Sequence, residues 1–289
     1  MDKILIIADI NEKCFATPRG LELAARLGLG VDVVAFTHAP LGRLKVSEAE
    51  ESVLRERLLE EREKIVRARI DRHSAPAQKV NLRVVWEKHI FPWVNDRCAE
   101  ESYMAVVKTG NRSESIVHEP NDWQLLRECP APVLIVAEKK WYRTKPVLAC
   151  LDLSTTAAQK RALNHKVLAA AKWLAEGLGV GLEIISVVDL PRLLSDLDLV
   201  DPHTYFKEAR ESMQPHVREL AEAHQLQESA FVCKRGPVEK VITSRAAEVR
   251  AQIVVLGTVG RKGVRARLIG NTAEQVLCHM KTDVLAIKP

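Results

Sequence analysis

The stretch Ile253–Pro289 reads IVVLGTVGRKGVRARLIGNTAEQVLCHMKTDVLAIKP, a pattern of strand, glycine-bearing loop, helix and strand. Four apolar residues, Ile253 to Leu256, run into Gly257, and Gly260 and Gly270 follow. Asn271 and Thr272 then open a helical period with Ala273, Val276, Leu277 and Met280 on one face. Val284 to Ile287 closes the stretch as a continuous apolar run, the mark of a strand buried on both faces. Such an arrangement suits a phosphate. Glycine has no Cβ, so backbone N–H groups can approach a ligand closely, and a helix N-terminus offers free N–H groups and partial positive charge to an anion. Asn271 or Thr272 is a candidate N-cap, and Arg261, Lys262, Arg265 and Arg267 make the loop basic. Taken alone, the same residues also describe an exposed turn with solvated charges.

Outward from this stretch, the chain is long enough at 289 residues for two domains, each with its own core. Its 47% hydrophobic and 28% charged residues are those of an ordinary globular protein. A net charge of +5 and an aromatic content of 4% leave few stacking platforms, so nucleic acid is not an expected partner. The six cysteines form no CxxC and no zinc spacing, and read as small core residues. The opening MDKILIIADINEK enters a strand directly and shows no signal-peptide core. No run approaches the roughly 18 apolar residues of a membrane span. The cytoplasm is the expected location.

Strands alternate with helices along the whole chain, which predicts a parallel, doubly wound α/β sheet. The pattern also repeats. Pro146-Val-Leu-Ala-Cys-Leu-Asp152 matches Lys3-Ile-Leu-Ile-Ile-Ala-Asp9, an apolar strand ending in Asp, and Val254-Val255 and Val284-Leu285 match Val106-Val107 and Val133-Leu134. Two tandem domains are expected, 1–140 and 145–289. Pro215 is expected to kink or interrupt a helix spanning about 203–223. The loops of the two halves differ. Lys108–Pro120 holds one glycine, Gly110, and carries Glu114 and Glu119, which would repel a phosphate. Binding is therefore assigned to the second half and a structural role to the first.

At this point the chain resembles tandem members of the universal stress protein family. The resemblance covers both halves and rests on the pattern G-x2-G-x9-G-[S/T/N], met by Gly257, Gly260, Gly270 and Asn271, and on Asp9 and Asp152 at the ends of the first strands. It implies two five-stranded parallel sheets of strand order 3-2-1-4-5 and, where the glycines are kept, binding of ATP or a related adenine nucleotide. By the same resemblance Asp152 sits near the adenosine end and Val187 lines the adenine pocket. Leu256 and Gly257 run along the ribose and phosphates, and Gly260, Gly270, Asn271 and Thr272 hold the phosphates. Many nucleotide binders of the family have Ser or Thr where this chain has Asn271. Members often dimerise through their last strands, so pairing of Val133–Val136 with Val284–Ile287 within one chain, a pseudo-dimer, is expected.

Other chemistry is sparse. His203, His216 and His224 share a helical region, with Asp201 and Cys233 near in sequence, and are expected to face solvent rather than to ligate a metal. There is no GxSxG, no Cys–His signature and no G-x-x-x-x-G-K-[ST]. ATP hydrolysis would call for a water-positioning group and Mg²⁺, and no pattern names a residue for either. The expectation is a regulatory binding module. Its alternatives are a binder of another phosphorylated metabolite, such as a nucleotide sugar or lipid precursor, and a ligand-free scaffold. The leucine-rich segment from Asp189 to Val200 reads either as a lid or as a partly buried connection.

Overall fold

The computed structural model describes residues 2–10, 14–43, 46–110, 121–139, 141–190, 200–258 and 271–289. The chain divides into two compact units, Met1–Glu138 and Lys139–Pro289. Gly260, Gly270, most of the Asp189–Val200 segment and nearly all of the Lys108–Pro120 loop lie outside the described residues.

In the first unit the strands are β1 (Lys3–Ala8), β2 (Gly30–Thr37), β3 (Val80–Trp86), β4 (Ala105–Thr109) and β5 (Val133–Val136). The helices between them are α1 (Ala16–Leu27), α2 (Glu48–His73), α3 (Ile90–Glu100) and α4 (Asn121–Glu128). The sheet is parallel throughout, with strand order β3-β2-β1-β4-β5. β1 sits at its centre because Ile4 to Ala8 are all apolar and all buried, as a strand covered by helices on both faces requires. Gly28 ends α1 in the left-handed conformation, φ 66°, and its N–H donates to the Ala24 carbonyl. Ser47 starts α2 with a capping box: its hydroxyl accepts from Glu50 N–H and the Glu50 carboxylate accepts from Ser47 N–H. Most of α2 is solvated, and only Arg62, Val66 and Ile70 are buried.

The second unit repeats the plan. Its strands are β6 (Val147–Leu151), β7 (Leu182–Val188), β8 (Phe231–Arg235), β9 (Ile253–Gly257) and β10 (Asp283–Ile287). Its helices are α5 (Ala158–Leu178), α6 (Pro202–His224), α7 (Val238–Glu248) and α8 (Asn271–His279). The order β8-β7-β6-β9-β10 is the same 3-2-1-4-5, again all parallel. The chain leaves β6 towards β7 on one side and reaches β9 on the other, so the sheet reverses direction between β6 and β9. Ligands of open parallel sheets bind beyond the strand ends at such a point.

Pro215 departs from expectation: α6 runs unbroken through it. Proline removes the N–H that would reach the carbonyl of Glu211 one turn back. Pro215 and Glu211 both lie on the solvent side, so water can meet that carbonyl. The opposite face, Met213, His216, Val217, Leu220 and Ala221, is buried and holds the helix in line.

At the N-terminal ends of the first unit's strands, a polar cluster joins β1, β2 and the residues before β4. Lys3 Nζ lies 2.9 Å from Asp32 Oδ2 and also meets Glu101, and the Tyr103 hydroxyl donates to Asp32 at 2.7 Å. Burial alone would raise the Asp32 carboxyl. Hydrogen bonds from Lys3, Tyr103 and Asn81 outweigh it, so the carboxyl titrates below its ordinary value. Burial and the bond to Asp32 push the Tyr103 phenol up to about 12. Because Asp32 is more acidic folded than unfolded, its stabilisation is full above about pH 4 and is lost as pH falls through the folded value. Asp32→Asn should lower unfolding free energy by about 1–3 kcal/mol at neutral pH. It should also flatten the acid limb of a stability-against-pH curve, measured by urea denaturation from pH 7 to pH 3.

Candidate functional site

At the C-terminal ends of β6, β7 and β9 the second unit holds a cavity of about 490 Å³. Five residues picked out in the sequence line it: Asp152, Val187, Leu256, Gly257 and Thr272. Asn271 opens α8 beside Thr272, so the start of this helix borders the cavity. Ser154, Lys160, Leu163, Asn164, Ile185, Asp189, Val238 and Ile242 complete most of the wall, and sequence reasoning had not assigned them to a site. A usable signal was present for three of them. Lys160, Leu163 and Asn164 follow Asp152 closely and share one helical face by their i, i+3, i+4 spacing. The wall has two characters. Val187, Ile185, Val238 and Ile242 make an apolar side, whereas Asp152, Ser154, Lys160 and Thr272 supply polar groups.

Asp152 is about half exposed, at 47%, and both its carboxylate oxygens have partners. The Ser154 hydroxyl donates to Oδ1 at 2.9 Å and Lys160 Nζ lies 3.1 Å from Oδ2. An ion pair this exposed is worth at most about 1 kcal/mol, so it is readily exchanged for other partners. The backbone of the same residue is held far more firmly. Its N–H donates to Asn164 Oδ1 at 3.1 Å, and Asn164 Nδ2 donates to its carbonyl at 2.8 Å. Asn164 thus plays the part of one more strand neighbour where β6 leaves the sheet. The next residue, Leu153, donates its N–H to Ser186 Oγ at 3.3 Å, and its carbonyl accepts from His216 Nδ1 at 3.2 Å. Asn164, Ser186 and His216 are only 4%, 2% and 4% exposed.

His216 corrects the expectation of a solvent-facing side chain. It is buried under the β6 end, and its Nε2 has no hydrogen-bond partner. Burial holds its pKa below the ordinary histidine value, aided by nearby Arg161 and His165 and opposed by the Leu153 bond and Glu219. His203 is exposed. His224 packs against His165, with 3.1 Å between Nε2 and Nδ1, and burial lowers its pKa too. Among the described residues no three His, Cys, Asp or Glu side chains converge as metal ligands would.

Gly257 has a packing reason. A Cβ built on it would stand 2.6 Å from Leu163 Cδ2 and 2.8 Å from Leu163 Cγ. The absent side chain lets α5 close against the end of β9, so the cavity wall and the core share an atom-to-atom contact. Beyond it, Thr258 N–H donates to the Ile287 carbonyl at 2.8 Å and keeps the chain beside β10 as it leaves the sheet.

The first unit treats the same place differently. The pairings Ile4 with Ala105 and Val147 with Ile253 put Thr109 where the second unit has Gly257, and Lys108 where it has Leu256. The Thr109 hydroxyl accepts from the N–H groups of Phe15 and Ala16 at the start of α1, at 3.1 and 2.8 Å. Lys108, buried, donates to the Thr109 carbonyl at 2.9 Å. Arg62 reaches in from α2 and donates to the carbonyls of Ala8 and Asp9, each at 2.9 Å. Side chains of the unit itself therefore occupy its strand ends.

The Gly257 contact gives a direct test. Gly257→Ala should destabilise the second unit by about 1–3 kcal/mol through overpacking. Adding Leu163→Ala should give a double mutant more stable than the sum of the two single changes, measured as a coupling energy from denaturant midpoints.

Comparison with known proteins agrees with this architecture. The family model described as Universal stress protein family matches residues 144–288. Among characterised chains, the Universal stress protein E homolog of Haemophilus influenzae is 29% identical over 84% of this chain and 81% of its own length. Universal stress protein E of Photorhabdus laumondii is 30% identical over 73% of this chain and 69% of its own. A universal stress protein from Archaeoglobus fulgidus, 18% identical, superposes with a TM-score of 0.67 over 99% of this chain and 98% of that one, a likeness of fold. With the family model matched over half the chain and a relative 30% identical over 69% of its own length, the protein belongs to the universal stress protein family.

Proposed function

We propose that the second unit binds an adenine nucleotide, ATP or a close relative, and acts as a regulatory binding module. The observation that carries this reading is the cavity at the β6/β9 reversal, where an acidic side chain, an apolar slot and a helix N-terminus face one space. Its volume of about 490 Å³ falls within the range of about 300–1,000 Å³ usual for small-molecule sites. Each region suits one part of the ligand. The base packs against Val187, Ile185 and Ile242. The ribose hydroxyls donate to Asp152, a role open to an acceptor whose present partners are an exposed lysine and a serine. The phosphates stay clear of that carboxylate and run over Leu256 and Gly257 towards Gly260, Gly270, Asn271 and Thr272, where backbone N–H groups at the start of α8 favour negative charge. Mg²⁺ would accompany ATP as a counter-ion on the phosphates.

The first unit is assigned no nucleotide, because Arg62, Lys108 and Thr109 bond to its own backbone where the ligand would lie. In this reading binding acts by favouring one conformation or partner surface. No helix among the described residues is long and apolar enough to cross a membrane, and we assign the protein to the cytoplasm.

Calorimetry on the intact protein should show one ATP per chain. Asp152→Ala should weaken binding by about tenfold or more, the worth of a hydrogen bond to a charged group. Val187→Glu, which puts a carboxylate into the apolar slot, should abolish it, and Asp9→Ala should leave it unchanged. Absence of any ATP binding by the unaltered protein would overturn the reading.

A further inference from the structure

Where β6 ends, the backbone of Asp152 and Leu153 has left the sheet, and three buried side chains hold it. Asn164 from α5 makes two bonds to Asp152, Ser186 from β7 takes the Leu153 N–H, and His216 from α6 donates to the Leu153 carbonyl. These bonds come from three separate elements, so the direction in which Asp152 points is set by their relative placement. Of the three holding groups, only His216 titrates near neutral pH.

We infer that His216 is a positioning residue for Asp152, and that its protonation loosens the 152–153 segment and so weakens ligand binding in mild acid. This rests on the nucleotide reading for the identity of the ligand, but the loosening itself does not. The geometry gives the mechanism. In the neutral ring Nδ1 carries the proton donated to Leu153, and Nε2 is buried with no partner. A second proton would go on Nε2, where no described acceptor meets it. Among the described residues, the titratable and charged groups facing the ring are Arg161 and His165 from α5 and Glu219 one turn along α6. Glu219 is already engaged by Arg161 and His165, so the new positive charge would stand beside the Arg161 guanidinium and find only a shared counter-charge. The ring relieves this by moving towards water, and it takes its bond to Leu153 with it.

The sign follows from linkage. The held ring has its pKa below the ordinary value of about 6.5, whereas a released ring titrates near that value. The held state is therefore fully favoured above about pH 6.5 and loses ground as pH falls below it.

Amide hydrogen exchange of residues 151–155 in the ligand-free protein reads the held state directly. Between pH 7.5 and pH 5.5, after correction for intrinsic exchange, protection should be progressively lost in the wild type. It should stay level in His216→Asn, whose Nδ2 occupies the Nδ1 position and donates without titrating. In His216→Ala protection should be low at both pH values. Level protection in the wild type, or an equal fall in His216→Asn, overturns the inference. ATP affinity measured on the same samples carries the link to the site: the ratio of His216→Asn to wild-type affinity should rise as pH falls, with ligand titration cancelling in the ratio. A constant ratio alongside measurable ATP binding overturns the link. If the wild type does not bind ATP at pH 7.5, the nucleotide reading fails, and the exchange data still decide the role of His216.

Discussion

A parallel strand can satisfy its backbone only while neighbours run beside it. In the second unit β6 leaves its ladder at Leu151 while β7 runs on to Val188, and the N–H and C=O groups of Asp152 and Leu153 are left inside the protein with no strand beside them. An unpaired buried peptide group costs roughly as much as a lost hydrogen bond. Side chains must therefore come to the strand end, and the elements that supply them define the surroundings of whatever sits beyond it. In the second unit Asn164, Ser186 and His216 meet this need.

The two units meet the same requirement with opposite chemistry. In the first, the long helix between the second and third strands sends in Arg62, whose guanidinium bonds the carbonyls at the end of β1. In the second, the corresponding helix sends in His216. A guanidinium is large and permanently charged, and with Lys108 it brings two cations to the strand ends. An imidazole and an amide are small and uncharged at neutral pH, and the amide of Asn164 lines the cavity. The two ends of one repeated fold thus differ in the side chains that meet the strand.

Much of this was legible in the sequence. The uninterrupted apolar runs of β1, β6 and β9 announced strands covered on both faces, and the match of Lys3–Asp9 with Pro146–Asp152 announced the repeat. Asp152, Val187, Leu256, Gly257 and Thr272, far apart in the chain, do come to one cavity. The groups that hold Asp152 in place were not legible. Periodicity marks which side of a helix is buried, but a lone polar residue on that side does not reveal its partner. Asn164 sits among Leu163, Val167 and Leu168, and His216 on a helix rich in charges, where solvent exposure was the simpler reading. Pro215 was misjudged because local propensity counts the missing hydrogen bond and not the packing on the opposite face.

The unbroken passage of α6 through Pro215 has a mechanical consequence. Pro215, the residue immediately before His216, lacks the N–H that would tie it to the preceding turn. Bending the helix at that point therefore tears one bond fewer than bending it elsewhere, and Glu211 lies on the exposed side. The joint lies next to the residue that grips the end of β6. The helix thus has its weakest backbone tie beside its bond to Leu153, with the buried Leu220 and Ala221 anchoring it about one turn further on.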